Sequence, residues 1–190
     1  MSLQSLDWAV AAAPVSANLY LMTKPDESAA RRLQAEGVRR RFRHRLMGRP
    51  TDWDRLHVTL AWFDVEAHSQ AQAAAIDAAM ARVRLTPFRA MVDRVGSWGK
   101  GERKPLVATG DEGVVGLHRL HQTIASALEG VGLGGSTGAF NPHVTLLRDP
   151  ATVTESFIDP VAWTVQEVQL VFSLVEARRH LVLRRWRLRG

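Results

Sequence analysis

Four residues occur twice in this chain, as His57-Val58-Thr59-Leu60 and as His143-Val144-Thr145-Leu146, 86 positions apart. Each copy lies in a short apolar stretch that reads as a strand. Side chains on a strand alternate faces with period two, so a histidine and a threonine two residues apart point the same way. Two such pairs brought together would form a pocket with two imidazoles and two hydroxyls. That set suits a phosphate.

Chance does not produce this pattern easily. Composition alone predicts about 0.4 His-x-Thr triplets in a chain of this make-up, and the sequence has three. The third, His121-Gln122-Thr123, is an internal control. It falls where Val114, Leu117, Leu120, Ile124 and Leu128 recur at helical spacing. On a helix, residues i and i+2 point nearly opposite ways, so His121 and Thr123 cannot share a site. His118 and His121 have a helical metal-ligand spacing but no local partners to complete a site. Strict alternation puts His57, Thr59, Ala61 and Phe63 on one face, with Val58, Leu60 and Trp62 on the other. In the second copy His143, Thr145 and Leu147 share a face. Alternation turns Arg148 away from it, unless a bulge or the strand end at Asp149-Pro150 brings it back.

The surrounding pattern predicts strands over 18–23, 56–64, 86–98, 105–109 and 141–148. It predicts helices over 24–46, 69–83 and 114–129, and a final hairpin from 161–175 and 179–188. Gly37 is a weak point in the first helix, and Gly48-Arg49-Pro50 ends it. The glycine-rich stretch 132–138 lacks the lysine and following helix of a P-loop and reads as a connection. Each motif strand follows a helix. This order predicts an α+β domain of two pseudo-symmetric antiparallel-sheet lobes, with helices on the outer faces and a central cleft. Residues 1–15 read as an N-terminal extension and 16–190 as one bilobal domain.

The chain has no cysteine, which excludes a disulfide framework and a thiolate metal site and fits a reducing, cytoplasmic setting. It has no apolar run long enough to span a membrane. The net charge is +6. Much of the positive charge crowds into one segment: Arg31, Arg32, Arg39, Arg40, Arg41, Arg43, Arg45 and Arg49. A second basic stretch runs through Arg178, Arg179, Arg184, Arg185, Arg187 and Arg189. A solvated arginine-rich helix and a docking surface for a nucleic-acid backbone both fit this distribution.

The motif pair resembles the two-histidine phosphoesterase superfamily, and more closely its 2′-5′ RNA ligase and RNA 2′,3′-cyclic phosphodiesterase branch. The resemblance rests on Tyr20 and Pro25-Asp26, on 56–61, on Leu117-His118-Arg119-Leu120, and on Phe140-Asn141-Pro142-His143-Val144-Thr145-Leu146 with Arg148. It covers about residues 18–175. Lys24 before Pro25 and the arginine-dense ends of both basic stretches depart from the family pattern. The resemblance implies hydrolysis of 2′,3′-cyclic phosphate ends of RNA or of cyclic nucleotides to a 2′-phosphomonoester, with no metal or other cofactor. His57 would be the proton donor and His143 the acceptor. Thr59 and Thr145 would complete the catalytic set. Arg148, Phe140 and Tyr20 would bind substrate. The identical motifs alone leave the acid and base interchangeable. RNA or a cyclic nucleotide is the expected partner of a monomer. The alternatives are a 2′-5′ phosphodiesterase or RNA ligase, and a non-catalytic RNA-binding module using its arginine surface.

Overall fold

A computed structural model of the chain describes residues 17–63, 70–136, 139–174, 177 and 179–190. The extension expected at 1–15 lies outside these residues. Eight strands form two antiparallel four-stranded sheets. β1 (Ala17–Thr23), β2 (Val58–Phe63), β7 (Glu167–Leu174) and β8 (Arg179–Arg187) make the first, in the order β2-β1-β7-β8. β3 (Phe88–Ser97), β4 (Lys104–Thr109), β5 (Val144–Asp149) and β6 (Ser156–Val165) make the second, in the order β5-β4-β3-β6. α1 is Glu27–Arg43, α2 is Gln70–Met80 and α3 is Val115–Glu129.

The two lobes repeat one plan. β1, α1, β2 and β4, α3, β5 are each a strand, a helix and a motif strand. In both sheets the motif strand is the edge, paired with the first strand of its unit. α1 packs against β5 and β6 of the opposite sheet, and α3 packs against both β2 and β3. Leu19, Leu21, Leu33, Ile76, Leu117, Leu120, Ile124 and Leu146 are among the side chains that fill one shared core. No helix among the described residues is long and apolar enough to cross a membrane.

Three expectations need correction. The stretch read as a single strand over 161–175 is two strands in different sheets, β6 and β7, separated only by Gln166. The final hairpin is therefore β7-β8, and the chain crosses between lobes at Gln166. α1 ends at Arg43 rather than at Gly48. Arg45 adopts φ 52°, and Leu46 N–H donates to Arg41 O at 2.9 Å, which closes a Schellman turn without a glycine. Its start does follow the sequence, since Asp26 caps the helix by accepting from Ala29 N–H at 2.9 Å. α1 runs through Gly37. A Cβ there would stand 3.3 Å from Leu146 Cβ, so glycine lets α1 lie close on the second motif strand.

The third correction concerns the faces of the motif strands. Their burial patterns are identical: buried, half-buried, buried, buried, exposed, buried. In β2 the partners of Leu21 and Met22 are Ala61 and Thr59, so Leu60 is an extra residue. In β5 the partners of Leu106 and Val107 are Leu147 and Thr145, so Leu146 is the extra one. The same β-bulge thus sits at the same motif position in both lobes. It resets the alternation, so Ala61, Phe63 and Leu147 turn into the core rather than lying beside the histidines. Trp62 and Arg148, each five residues after its histidine, come round to the motif face.

Candidate active site

His57 and His143 each stand one residue before their strand. Each holds its Nδ1 at 2.7 Å from a backbone carbonyl two residues earlier, Arg55 O and Asn141 O. A carbonyl oxygen only accepts, so Nδ1 carries the proton in both rings. The tautomer is thereby fixed, and the neutral ring presents a bare Nε2 for proton transfer. The two rings are close enough for charge on His143 to act on His57.

Their surroundings differ. Tyr20 stacks toward His57 with ring centroids 6.2 Å apart, and His180 meets it edge-on at 5.3 Å. Burial pushes the His57 imidazole down to about 4, and the charges of Lys24, His143 and Arg55 add to this against the opposing hydrogen bond to Arg55. Burial also lowers His180, to about 3, with His57, Arg55 and Lys24 adding to the shift. His143 lies 5.0 Å from the Trp98 ring. It too is lowered by burial, with Asn141 opposing and Arg148 adding.

Arg148 belongs to the second lobe, yet its charge acts on Tyr20 of the first lobe as well as on His143 of its own. Its guanidinium donates to Arg103 O at 3.5 Å. Its backbone is held firmly. Gly48 abuts the Arg148 carbonyl so closely that a Cβ would come within 2.1 Å of that oxygen. The buried Asp149 carboxylate next along accepts N–H bonds from Met47, Gly48 and Ala151 at 2.7–2.8 Å. Burial raises the Asp149 carboxyl, but these hydrogen bonds outweigh it and hold the group below its ordinary value.

The structure brings Tyr20, His57, His143 and Arg148 near one another through ring contact and charge effects, with Thr59 and Thr145 half-buried two residues after the histidines. It takes Phe140 elsewhere: that ring stacks on His121 at 4.1 Å and meets His118 edge-on at 5.5 Å, packed on α3. Both helix histidines are thereby occupied in packing. Among the described residues, no cluster of three or more His, Cys, Asp or Glu side chains could hold a metal ion. Trp62, Trp98 and His180 are cleft neighbours that the sequence reading did not select. For Trp62 a signal existed, since it occupies the offset in the first copy that Arg148 occupies in the second. The arginine-rich segment is only partly a free surface. Arg40 is buried against Glu36, and Arg31, Arg39 and Arg49 pair with Glu27, Glu36 and Asp52.

A family model described as the 2′-5′ RNA ligase superfamily matches residues 25–175. The crystal structure of E. coli LigT complexed with 3′-AMP is 26% identical with a TM-score of 0.71, covering 91% of this chain and 98% of that one. A phosphoesterase crystal structure is 25% identical at a TM-score of 0.69, covering 91% of this chain and 99% of that one. TT0787 of Thermus thermophilus, 23% identical, shares the fold at a TM-score of 0.68 over 91% and 98% of the two chains. No curated protein gives a significant match.

Proposed function

Because this chain belongs to the 2′-5′ RNA ligase superfamily, a group of phosphoesterase- and ligase-type enzymes, we propose that it hydrolyses 2′,3′-cyclic phosphate ends of RNA or nucleotides to a 2′-phosphomonoester. The observation that carries this reading is the matched pair of imidazoles, each locked through Nδ1 to a backbone carbonyl at 2.7 Å. His143 Nε2 removes a proton from water, whose oxygen attacks phosphorus. The bond from phosphorus to the ribose 3′ oxygen breaks, and protonated His57 delivers its Nε2 proton to that oxygen. Thr59 and Thr145 donate to the nonbridging oxygens, and Arg148 offsets the charge that grows there. Exposed Trp62 and the Tyr20 ring offer faces for a base. The test is turnover of a 2′,3′-cyclic nucleotide by the purified protein, with the product identified by phosphorus NMR. A protein that binds the nucleotide and leaves it unchanged is not this enzyme.

The electrostatics make a pH prediction. The productive free enzyme carries one proton on the pair, on His57 and not on His143. His57 is lowered to about 4, and His143 lies below its ordinary value, which is about 6.5. The singly protonated pair peaks between these values. Thus kcat/KM is highest below about pH 6.5 and falls as pH rises through the His143 value, and also below about 4. A bound phosphodiester anion stabilises both imidazolium forms, so the kcat profile lies at higher pH. Coincident profiles that both peak above pH 7 contradict this arrangement.

Replacing Arg148 by Ala should lower kcat/KM roughly tenfold to a hundredfold, with Arg148→Lys recovering part of it. Steady-state kinetics at fixed ionic strength measure this. An unchanged value removes Arg148 from the phosphate site.

A further inference from the structure

Part of the charge on α1 lies on a single stripe. Arg32, Arg39 and Arg43 follow one another at i, i+7 and i+11. At about 100° per residue these positions fall within about 40° of one another and span about 16 Å of helix. The stripe borders β6, an edge strand of the second sheet, across a cavity of about 380 Å³. Arg32, Arg39, Arg40 and Arg43 line this groove from the helix, and Phe157 and Asp159 line it from the strand. Two carboxylates share the wall with the four guanidiniums. Glu36 is 8% exposed and closed by Arg39 at 2.7 Å and Arg40 at 2.6 Å, so its charge is already met. Asp159 is exposed and makes no ion pair among the described residues. Arg32 Nη2 donates to the Pro160 carbonyl at 3.1 Å, and Arg43 meets no carboxylate among the described residues. The groove therefore keeps an excess of positive charge. Phe157 stands at the same wall and is 78% exposed. An aromatic face among guanidiniums lets a base stack while its backbone phosphates are held.

The chain leads from this stripe to the second motif strand. Beyond Arg43 it turns through Arg45 and reaches β5, where Met47 and Gly48 N–H groups donate to the Asp149 carboxylate and Gly48 abuts the Arg148 carbonyl. Exposed Arg45 and Arg49 carry positive charge along this connection, Arg49 in a 3.5 Å pair with Asp52. We propose that the groove between α1 and β6 docks a single-stranded stretch of RNA, with Arg32, Arg39 and Arg43 on its phosphates and Phe157 stacked on a base. The ligand is then a polynucleotide whose end enters the cleft while its body lies along α1. The inference rests on the reading of the cleft as a site for RNA ends. It adds contacts away from the reacting phosphate, which make an oligomer a better ligand than a mononucleotide.

Binding tests this without requiring turnover. The probe is a labelled single-stranded RNA of about twelve nucleotides, followed by fluorescence anisotropy on the intact protein across a salt series. Arg32→Glu combined with Arg43→Glu should weaken binding about tenfold or more and flatten the salt slope by about one to two. Phe157→Ala should weaken it roughly fivefold or more while keeping the slope. Asp159→Asn should tighten it, because it removes the carboxylate that faces the phosphates. Calorimetric affinity for 2′-AMP should stay unchanged in all of these variants, which separates the groove from the cleft and from a general loss of fold. RNA affinity indifferent to both the charge reversal and Phe157→Ala overturns the proposal. So does duplex RNA of the same length binding as tightly as the single strand. Substitution-sensitive binding to phosphatidylserine vesicles, with none to the RNA, makes the groove a membrane contact and overturns it as well. Failure to hydrolyse a cyclic nucleotide counts against the hydrolase reading alone, and is distinguished by RNA binding that still depends on Arg32, Arg43 and Phe157.

Discussion

Alanine at His57 or at His143 lowers turnover of a 2′,3′-cyclic nucleotide by roughly two to four orders of magnitude, while the protein stays folded. Neither imidazole is a large part of the core, and each makes one side-chain hydrogen bond to a neighbouring backbone carbonyl. The loss therefore falls on proton transfer rather than on the fold, which circular dichroism and a thermal melt check. The two variants also separate roles that identical motifs leave interchangeable. Without His57, residual activity needs only a neutral base, so it rises with pH through the His143 value and then stays level. Without His143, residual activity needs only a charged acid, so in the free enzyme it falls above about 4, the value to which burial lowers His57. Opposite slopes in the reverse assignment would make His143 the acid. A double variant as fast as the wild type ends the mechanism altogether.

The motif pair was legible because a repeat of chemistry-bearing residues survives translation into strand geometry. Period-two alternation sets Thr59 on the face of His57 and Thr145 on that of His143, and both threonines are half-buried at the same point of identical burial patterns. It failed one residue later, at Leu60 and Leu146, where both strands carry an extra residue. The bulge leaves a faint mark in sequence: two consecutive apolar residues, Leu60-Ala61 and Leu146-Leu147, within strands expected to alternate. Without it Arg148 and Trp62 would face away from the histidines. The break at Gln166 left no mark, because no glycine or proline interrupts β6 and β7 there. Arg45 hid the end of α1, since a non-glycine residue in the left-handed region has no strong sequence signature. His180 was invisible for a different reason. Its place beside His57 depends on β8 pairing with β7, 123 residues further along the chain, and no local pattern encodes that.

Removing the Glu36 carboxylate, as in Glu36→Ala, destabilises the protein by about 3–5 kcal/mol. Glu36 and Arg40 lie one helical turn apart with side chains only 8% and 6% exposed. Arg40 Nε meets Glu36 Oε1 at 2.6 Å, and Arg39 closes on Oε2 at 2.7 Å. Across to β6, Arg40 donates to Ser156 Oγ at 2.6 Å. Alanine would leave a guanidinium sealed from water with a hydroxyl as its remaining partner, which costs far more than the pair contributes while intact. Glu27 makes the contrast. Its pair with Arg31 has the same i, i+4 spacing, but the side chains are 63% and 56% exposed. Water screens that pair, so Glu27→Ala costs under about 1 kcal/mol. Urea unfolding of both variants measures the difference, against a total stability of roughly 5–15 kcal/mol for a domain. Replacing both buried partners, as Glu36→Leu with Arg40→Met, should recover most of the loss, because it removes the stranded charge with its counterion. A Cβ on Gly37, the residue after Glu36, would stand 3.3 Å from Cβ of the bulged Leu146, so this turn of α1 lies close on the second motif strand. If Glu36→Ala costs no more than Glu27→Ala, water reaches the Arg40 guanidinium, and the basic segment is then a solvated face throughout.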